Sequence, residues 1–548
     1  MAAVPVQSAN AAAANVRADY RVLSRQFTLS AAPVDLFASQ TDDGRAEGHF
    51  LLETVDNVVP AYGAPTTQAG KSLLLLSPCL KLHGKGRHVT LTALTVNGRA
   101  LLKKLIAALL AASAVQTQSQ RDEQVTLRFP RPEAGVDELA RLRAASPFDV
   151  LRAVLTALMP SSADVSKALL LTGVFPFESI ELFEQFAPFA DGTDSDSFTL
   201  YVPEILVQVP RDGHPAQATA LVIDGEQSER VENELSRRLA LLAEQAGKLK
   251  TVQAPAPVAA LEPVTTNVSD SAFCAQVRQV QEHLRAGDAF QIVISRRFQL
   301  PCHAPLTAYR ALRQENPSPY LFYGATDAFT LFGASPESAV KVDGASRVLE
   351  VCPIAGTRPR GRDKNGALDL DRDARIEAEL RADGKEVAEH MMLVDLARND
   401  VARICQPGSR RIKQLLTVER YARVMHLVSR VNGVLKPELD ALHAFAASMP
   451  MGTLSGAPKI RAIQIIRAIE RAPRGCYGGA VGYLDAAGNM DTAIVIRAAV
   501  VRDGVATVQA GAGIVLGSEP QAEADETRRK AESVLRAIAS ANVSEKGA

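Results

Sequence analysis

Five stretches in the second half of the chain carry residue types and spacings that could do chemistry together. In residues 385–400 (KEVAEHMMLVDLARND), Glu386 and Glu389 stand three apart and share one face of a helix. Acidic pairs on helices are usually solvated. Here Met391, Met392, Leu393 and Leu396 follow closely and draw the helix toward a core, where a carboxylate wants a partner and a cation is one candidate. Residues 353–358 (PIAGTR) read as a turn after a strand, with Gly356 letting backbone N–H groups approach an anion and Thr357 adding a hydroxyl. In residues 451–461 (MGTLSGAPKIR), Ser455 is expected to cap a helix running to about Arg471, with Pro458 in its first turn. Thr453 would face a ligand held at that helix end. Residues 510–514 (AGAGI) expose successive N–H groups around two glycines. Residues 523–530 (EADETRRK) put carboxylates and a lysine on one short helix, in an order that also suits the helix dipole. Each stretch has an ordinary structural account. Together they describe an anion site beside a metal.

The elements that must position these residues follow from periodicity and punctuation. Residues 271–286 form an amphipathic helix ended by Gly287, and residues 289–300 (AFQIVISRRFQL) form a strand. Residues 491–516 give two alternating runs joined by Asp503-Gly504, a hairpin signal. Residues 521–542 close this part with a helix. In the first half, residues 101–112 have helical periodicity and residues 198–209 are strand-like, with no acid–base or nucleophile constellation. Between the halves, residues 251–266 (TVQAPAPVAALEPVTT) read as a linker, after a charged helical stretch at 226–250. The division is an extension at 1–17, a first region at 18–250, the linker, and a second domain at 267–542. The class is α+β, in two parts, with the chemistry in the second.

Composition sets limits on function. The 548 residues include 61 Lys plus Arg and 61 Asp plus Glu, so the formal net charge is zero and gives no footprint for nucleic acid or an anionic membrane. No apolar run is long enough to span a bilayer. The Ala-rich first 15 residues lack the layout of a signal peptide and read as a disordered extension. The 6 cysteines show no short pairing, which suits a reducing, cytoplasmic setting and small buried side chains.

The blocks PIAGTRPRGR, HMMLVDLARND, MHLVSRV, MGTLSGAPK, GGAVGY, DTAIVIR, QAGAGIV and EADETRRKA resemble the signature blocks of anthranilate synthase component I, in the chorismate-utilising enzyme family. The likeness runs from about Arg21 to Ala539 and is densest after Ser271. It implies a fold of two antiparallel sheets packed as a sandwich with helices outside, and it implies roles for named residues. Glu389 and Glu526 match magnesium-binding carboxylates. Gly356, Thr357, Tyr477, Arg497, Gly511 and Gly513 match chorismate-binding positions, with Arg497 holding a carboxylate and Thr453 touching one. Glu337 matches the general acid that protonates the departing ring hydroxyl, which requires a raised pKa. His426 matches the histidine linked to pyruvate elimination.

Two positions choose among the family's reactions. Members that attack the ring with a lysine carry it where this chain has Ala355, and members that activate water carry one where this chain has Gln291. Ammonia needs no base to deprotonate it, so a neutral glutamine fits. The chain has no Gly-x-Cys-x-Gly elbow of a glutamine amidotransferase, so the resemblance implies a separate glutaminase subunit, in a heterotetramer of two large and two small chains. Leu51-Leu52-Glu53-Thr54 in the first half and Asn316-Pro317-Ser318-Pro319-Tyr320-Leu321 in the second resemble the blocks that bind the feedback inhibitor L-tryptophan, each departing at its last residue. Glu53, Thr54, Pro319, Tyr320 and Leu321 are the residues so implicated. An enzyme of the same superfamily that stops before pyruvate leaves, and a catalytically dead tryptophan-binding regulator, are the competing assignments. The second would be expected to have lost Glu389, Glu526, Glu337 or Arg497, and all four are present.

Overall fold

The computed structural model describes residues 19–54, 70–111, 116–131, 135–158, 170–189, 195–211, 213–258, 264–364, 366–421 and 424–546. The expected extension at 1–17 lies outside them. The long apolar run after Lys71 forms the strand Lys71–Lys85, nearly all of it buried. It pairs antiparallel with Asp196–Pro210, and every strand pairing among the described residues is antiparallel. From this pair the hydrogen-bonded ladder continues two ways. One branch runs through Phe50–Thr54, Tyr320–Ala325, Thr330–Ser335, Ala498–Arg502 and Val505–Ile514 to Gln291–Pro301. The other runs through Leu170–Phe175, Ala480–Asp485, Met490–Ile494, Ser338–Asp343 and Val348–Val351 to Val424–Val434. Leu73 of the central pair and Phe50, Phe322 and Leu331 of the first branch pack against Val174, Val481 and Ala493 of the second. Two antiparallel layers face each other as expected, with helices outside.

The two sequence regions are built into one ladder. Phe50–Thr54 pairs with Tyr320–Ala325, and Leu170–Phe175 pairs with Ala480–Asp485. The segment read as a linker is tied down where it is described. Val258 N donates to Ser540 Oγ (3.2 Å), and Thr265–Thr266 pairs with Gln299 and Phe298. Residues 259–263 lie outside the described set.

Local signals account for most elements. Ser269 caps the helix Asp270–Arg285 by accepting from Ala272 N, and Gly287 follows its end at φ +80°. In Ser228–Lys248 the buried face is Leu235, Leu239, Leu242 and Ala246, spaced for one side of a helix. Asp503 and Gly504 both take positive φ, as a two-residue hairpin turn requires. Three expectations need correction. The first run of that hairpin is not one strand: it breaks between Ile494 and Ala498, where Arg497 takes φ +50°. Ser455 does not cap a helix; it is buried with its hydroxyl on Met451 O (3.0 Å), and Pro458 holds the N-cap of Lys459–Glu470. The basic residues 528–530 lie within the helix Pro520–Lys546, remote from its C-terminus, so the dipole does not explain them.

Candidate active site

The strand Ile354–Pro359 pairs with Val424–Val434, but its register breaks between Ala355 and Thr357, where Gly356 takes φ +73°. A Cβ there would stand 3.3 Å from Glu386 Oε2, so glycine serves both conformation and space. The break sets Thr357 opposite His426, and Thr357 Oγ1 lies 2.9 Å from His426 Nδ1. Burial, then the nearby Arg497 cation, lowers the imidazole to about 4 against a hydrogen bond to the Gly356 backbone, so His426 is neutral at physiological pH. Thr357, His426, Arg497, Pro319 and Pro336 line one cavity of about 110 Å³.

Glu337 follows Pro336, which lines that cavity. It is 4% exposed, and its Oε1 accepts from Thr453 Oγ1 at 3.1 Å. Burial outweighs Thr453 and the Lys530 ammonium and raises the carboxyl to about 8. It therefore carries its proton at pH 7. Arg497 Nη1 donates to Lys530 O (3.2 Å), and Ala334 N donates to Arg497 O (3.0 Å), which ties the arginine to the last helix and to the strand Thr330–Ser335 that precedes the acid. Burial pulls the Arg497 guanidinium below its ordinary pKa while Tyr477 and Glu526 counter that. Tyr477 is buried, and burial, opposed by Arg474, pushes its phenol up to about 12.

Further carboxylates come from two helices and act on the same Lys530 ammonium. On Gly384–Ile404, Glu386 pairs with Arg358 (2.9 Å) and Glu389 Oε1 accepts from Gln291 Nε2 (2.9 Å). Burial raises Glu389, countered by Gln291, and the charges of Glu386 and Glu526 push it further. On Pro520–Lys546, burial opposes the charge on Glu526, but Lys530 at 2.6 Å outweighs it and the pKa falls. Lys530 Nζ also donates to Gly511 O (3.1 Å). A Cβ on Gly511 would lie 2.7 Å from Ile294 O and Tyr477 Oη; on Gly513 it would lie 2.7 Å from Gln291 Nε2. The two glycines thus keep the strand flush with the side chains that line the site. Gln291 is 2% exposed, and its Oε1 has no hydrogen-bond partner among the described residues.

Glu389 and Glu526 come from different helices and feel each other's charge. Among the described residues no three His, Cys, Asp or Glu side chains converge as a metal cage. Two hard oxygen donors without soft ligands suit magnesium, which keeps water and substrate oxygens in its shell. Sequence reasoning placed Glu523 and Lys530 in the stretch 523–530 but gave neither a role of its own. Burial raises Glu523, opposed by Ser518, and the charge of Glu526 adds to that. Their spacing of three and four from Glu526 was the available signal.

A second cavity lies between the paired strands Phe50–Thr54 and Tyr320–Ala325, where Thr54 stands opposite Tyr320 and Glu53 opposite Leu321, and the strands Ala480–Asp485 and Met490–Ile494. Glu53, Thr54, Tyr320 and Leu321 border it; Pro319 instead lines the His426 cavity. Glu53 is spent within the protein, accepting from Tyr309 (2.7 Å) and Arg313 (2.8 Å). The Thr54 hydroxyl is engaged with the Lys71 backbone, donating at 3.1 Å and accepting at 2.9 Å. Lys71, Tyr483 and Asp491 complete the wall, with Lys71 Nζ donating to Tyr483 Oη (3.2 Å) and Tyr320 Oη to Asp491 (3.1 Å). Sequence reasoning missed these three, which lie on strands remote from both quoted blocks.

A family model described as chorismate binding enzyme matches residues 104–536. The chain belongs to the chorismate-binding enzyme family. Within that family its relatives are component 1 proteins of anthranilate synthase: it is 49% identical over 477 residues to that of Salmonella typhimurium, covering 86% of this chain and 89% of that one. Among solved structures, anthranilate synthase component I from Streptococcus pneumoniae TIGR4 superposes with a TM-score of 0.62 at 27% identity, covering 88% of this chain and 95% of that one. The menaquinone-specific isochorismate synthase of Escherichia coli shares the fold, with a TM-score of 0.63 at 16% identity and 95% of each chain covered. These relatives make the chain an enzyme of the anthranilate synthase component 1 type.

Proposed function

We propose that this chain aminates chorismate with ammonia, in the presence of magnesium, and then eliminates pyruvate to give anthranilate, under feedback inhibition by tryptophan. The observation that carries this reading is a protonated carboxyl and a neutral imidazole held beside linked cations. Glu337, bonded to Thr453, holds a proton at neutral pH and His426, bonded to Thr357, does not; Lys530 acts on the first, Arg497 on the second, and Arg497 bonds the Lys530 backbone.

In the first step a C–N bond forms between ammonia and the ring, and the ring C–O bond breaks. Glu337 gives its proton to the departing hydroxyl, which leaves as water, and Thr453 holds the carboxyl in place. In the second step the ring loses a proton as the ether C–O bond to the enolpyruvyl group breaks. The enolpyruvate released takes up a proton at its methylene carbon to become pyruvate, and the ring becomes aromatic. Neutral His426, oriented by Thr357, is the group poised to accept a proton in this step. Arg497 and Tyr477 hold the side-chain carboxylate, and the N–H groups around Gly356, Gly511 and Gly513 approach the ligand closely. Glu389 and Glu526 would hold magnesium, which when bound supplies positive charge for the ring carboxylate. Gln291 offers an amide where a water-activating member would have lysine, which favours a nucleophile that needs no deprotonation.

The chain contains no glutaminase elbow, so its ammonia would come from a glutamine amidotransferase subunit, and the resemblance favours two copies of each chain in a cytoplasmic complex. The first sequence region, 18–250, would act as the regulatory part. Support for regulation comes from adjacent residues: Pro319 lines the His426 cavity while Tyr320 lines the cavity with Lys71 and Asp491. That second cavity has a cation, an anion and apolar walls from Leu73, Val481 and Ala493, the needs of a zwitterionic aromatic amino acid. Assay of anthranilate from chorismate, ammonium and magnesium, with and without tryptophan, tests the reading. Chorismate left unconsumed would reject it.

A further inference from the structure

Two of the sequence blocks end on a charged residue that the chemistry above does not use. HMMLVDLARND ends on Asp400 and MGTLSGAPK on Lys459, and both side chains are buried. Lys459 Nζ donates to Asp400 Oδ2 (2.9 Å) and to Ser448 O (2.6 Å). Arg403 stands 3.6 Å from the other Asp400 oxygen and donates to Ala447 O (3.2 Å). A buried ion pair is weak grounds for stability, because a well-packed apolar pair of similar volume serves as well or better. Lys459 is also the first residue of the helix Lys459–Glu470, where the dipole disfavours a cation. Stability alone therefore does not account for the pair.

Its place in the fold does. One ammonium joins both ends of residues 448–459 and ties them to the helix Gly384–Ile404. On that helix Glu389, Leu393, Leu396 and Asp400 recur at helical spacing, which puts them on one face, with Asp400 about 16 Å along the axis from Glu389. The loop lies on this face: a Cβ on Gly452 would meet Leu396 Cδ2 at 2.1 Å. The next residue, Thr453, donates to Glu337. Further on, Gly456 and Ala457 pair with Ile292 and Gln291, and Gln291 donates to Glu389. One loop thus carries the hydrogen-bond partner of the acid and braces the support of Glu389, and the ion pair closes that loop.

We propose that Asp400 and Lys459 are a positioning pair, clasping residues 448–459 to the helix of Glu389 so that Thr453 aligns the Glu337 carboxyl with the departing hydroxyl. This rests on Glu337 acting as the acid in the reading above. Without the clasp, Thr453 shifts and Glu337 keeps its proton but not its aim. The chemical step slows, while chorismate binding at Arg497 and the glycine positions is left intact.

The test uses the full chain with chorismate, ammonium chloride and magnesium. It compares wild type with Asp400→Leu/Lys459→Met, in which the pair becomes apolar, and with Lys459→Met alone, in which Asp400 keeps Arg403. Each is made with and without Thr453→Val, and thermal midpoints are recorded beside kcat and KM. In the double variant the midpoint should stay within a few degrees of wild type. Its kcat should fall about tenfold or more, with KM for chorismate changed by less than about twofold. Lys459→Met should show the same split at a lower midpoint. On Thr453→Val, either change should cost less than about twofold further in kcat, because the pair acts through Thr453. Wild-type kcat in the double variant, or a loss as large on Thr453→Val as without it, would overturn the proposal. Where the double variant does not fold, Lys459→Met decides alone, and wild-type kcat in it overturns the proposal. A wild type that leaves chorismate unconsumed, or a Glu337→Gln variant as active as wild type, would reject the reading beneath it, and the proposal with it.

Discussion

Replacing Glu337 by glutamine separates what this residue does for catalysis from what it costs the fold. With a pKa of about 8, roughly nine in ten Glu337 carboxyls are protonated at pH 7, against about one in 500 for an ordinary glutamate. Burial therefore raises the supply of acid at working pH by two to three orders of magnitude. The same burial destabilises the protein. The folded pKa lies above the unfolded value of 4.5, so the folded state holds the proton more tightly. The penalty is absent below about pH 4, grows as pH rises and is complete above about 8. At pH 7 it amounts to about 3 kcal/mol, and at pH 5 to about 1 kcal/mol. The amide introduced by Glu337→Gln keeps the shape and still accepts from Thr453, but it has no acidic proton and no charge to bury. The substitution should lower kcat by about 10²–10⁴-fold and raise the urea midpoint at pH 7 more than at pH 5. In the wild type, kcat at constant free ammonia should fall about tenfold per pH unit above 8. A variant with kcat within about twofold of wild type, or one destabilised equally at both pH values, would refute the reasoning.

Further outcomes follow from other contacts. His426→Asn should consume chorismate but accumulate the aminated, pyruvate-bearing intermediate, seen by chromatography; anthranilate at the wild-type rate would contradict the role. Gly513→Ala places a Cβ 2.7 Å from Gln291 Nε2 and should cost about tenfold or more in kcat/KM. Because a flexible side-chain end is what must give way, the thermal midpoint should barely move. Lys71→Ala should raise the tryptophan concentration for half inhibition by about tenfold or more through loss of a charged contact, with the uninhibited rate unchanged. Equal inhibition would exclude the Lys71 cavity as the inhibitor site.

Features carried by residues close in sequence, and bound by periodicity, are legible in the sequence itself. Glu386 and Glu389 share a face as their spacing requires, and the Asp503-Gly504 turn is where two positive φ angles are needed. Gly356 reads as a close-approach position and is one. What resists is geometry set by distant chain. The positive φ of Arg497 breaks an otherwise good strand pattern, because Ala334 N takes its carbonyl and Lys530 O takes its guanidinium. Nothing in DTAIVIR shows that. Ser455 has the composition of a cap, yet burial turns its hydroxyl back to Met451 O. Lys71, Tyr483 and Asp491 meet only because Lys71–Lys85 and Phe50–Thr54 bring the first region against Ala480–Asp485. The split between Pro319 and Tyr320 follows from which face of the chain meets which cavity, and adjacent residues in one motif could not reveal it.

The most direct test is fluorescence-detected anthranilate formation by the purified chain with chorismate, ammonium and magnesium, beside Glu526→Gln and a chelator control. The account predicts product from the wild type, lost on chelation and reduced by about 10²-fold or more in the variant, whose magnesium affinity falls with the lost carboxylate. Anthranilate formed at equal rates by all three samples would contradict the metal site, and chorismate untouched by the wild type would contradict the account as a whole.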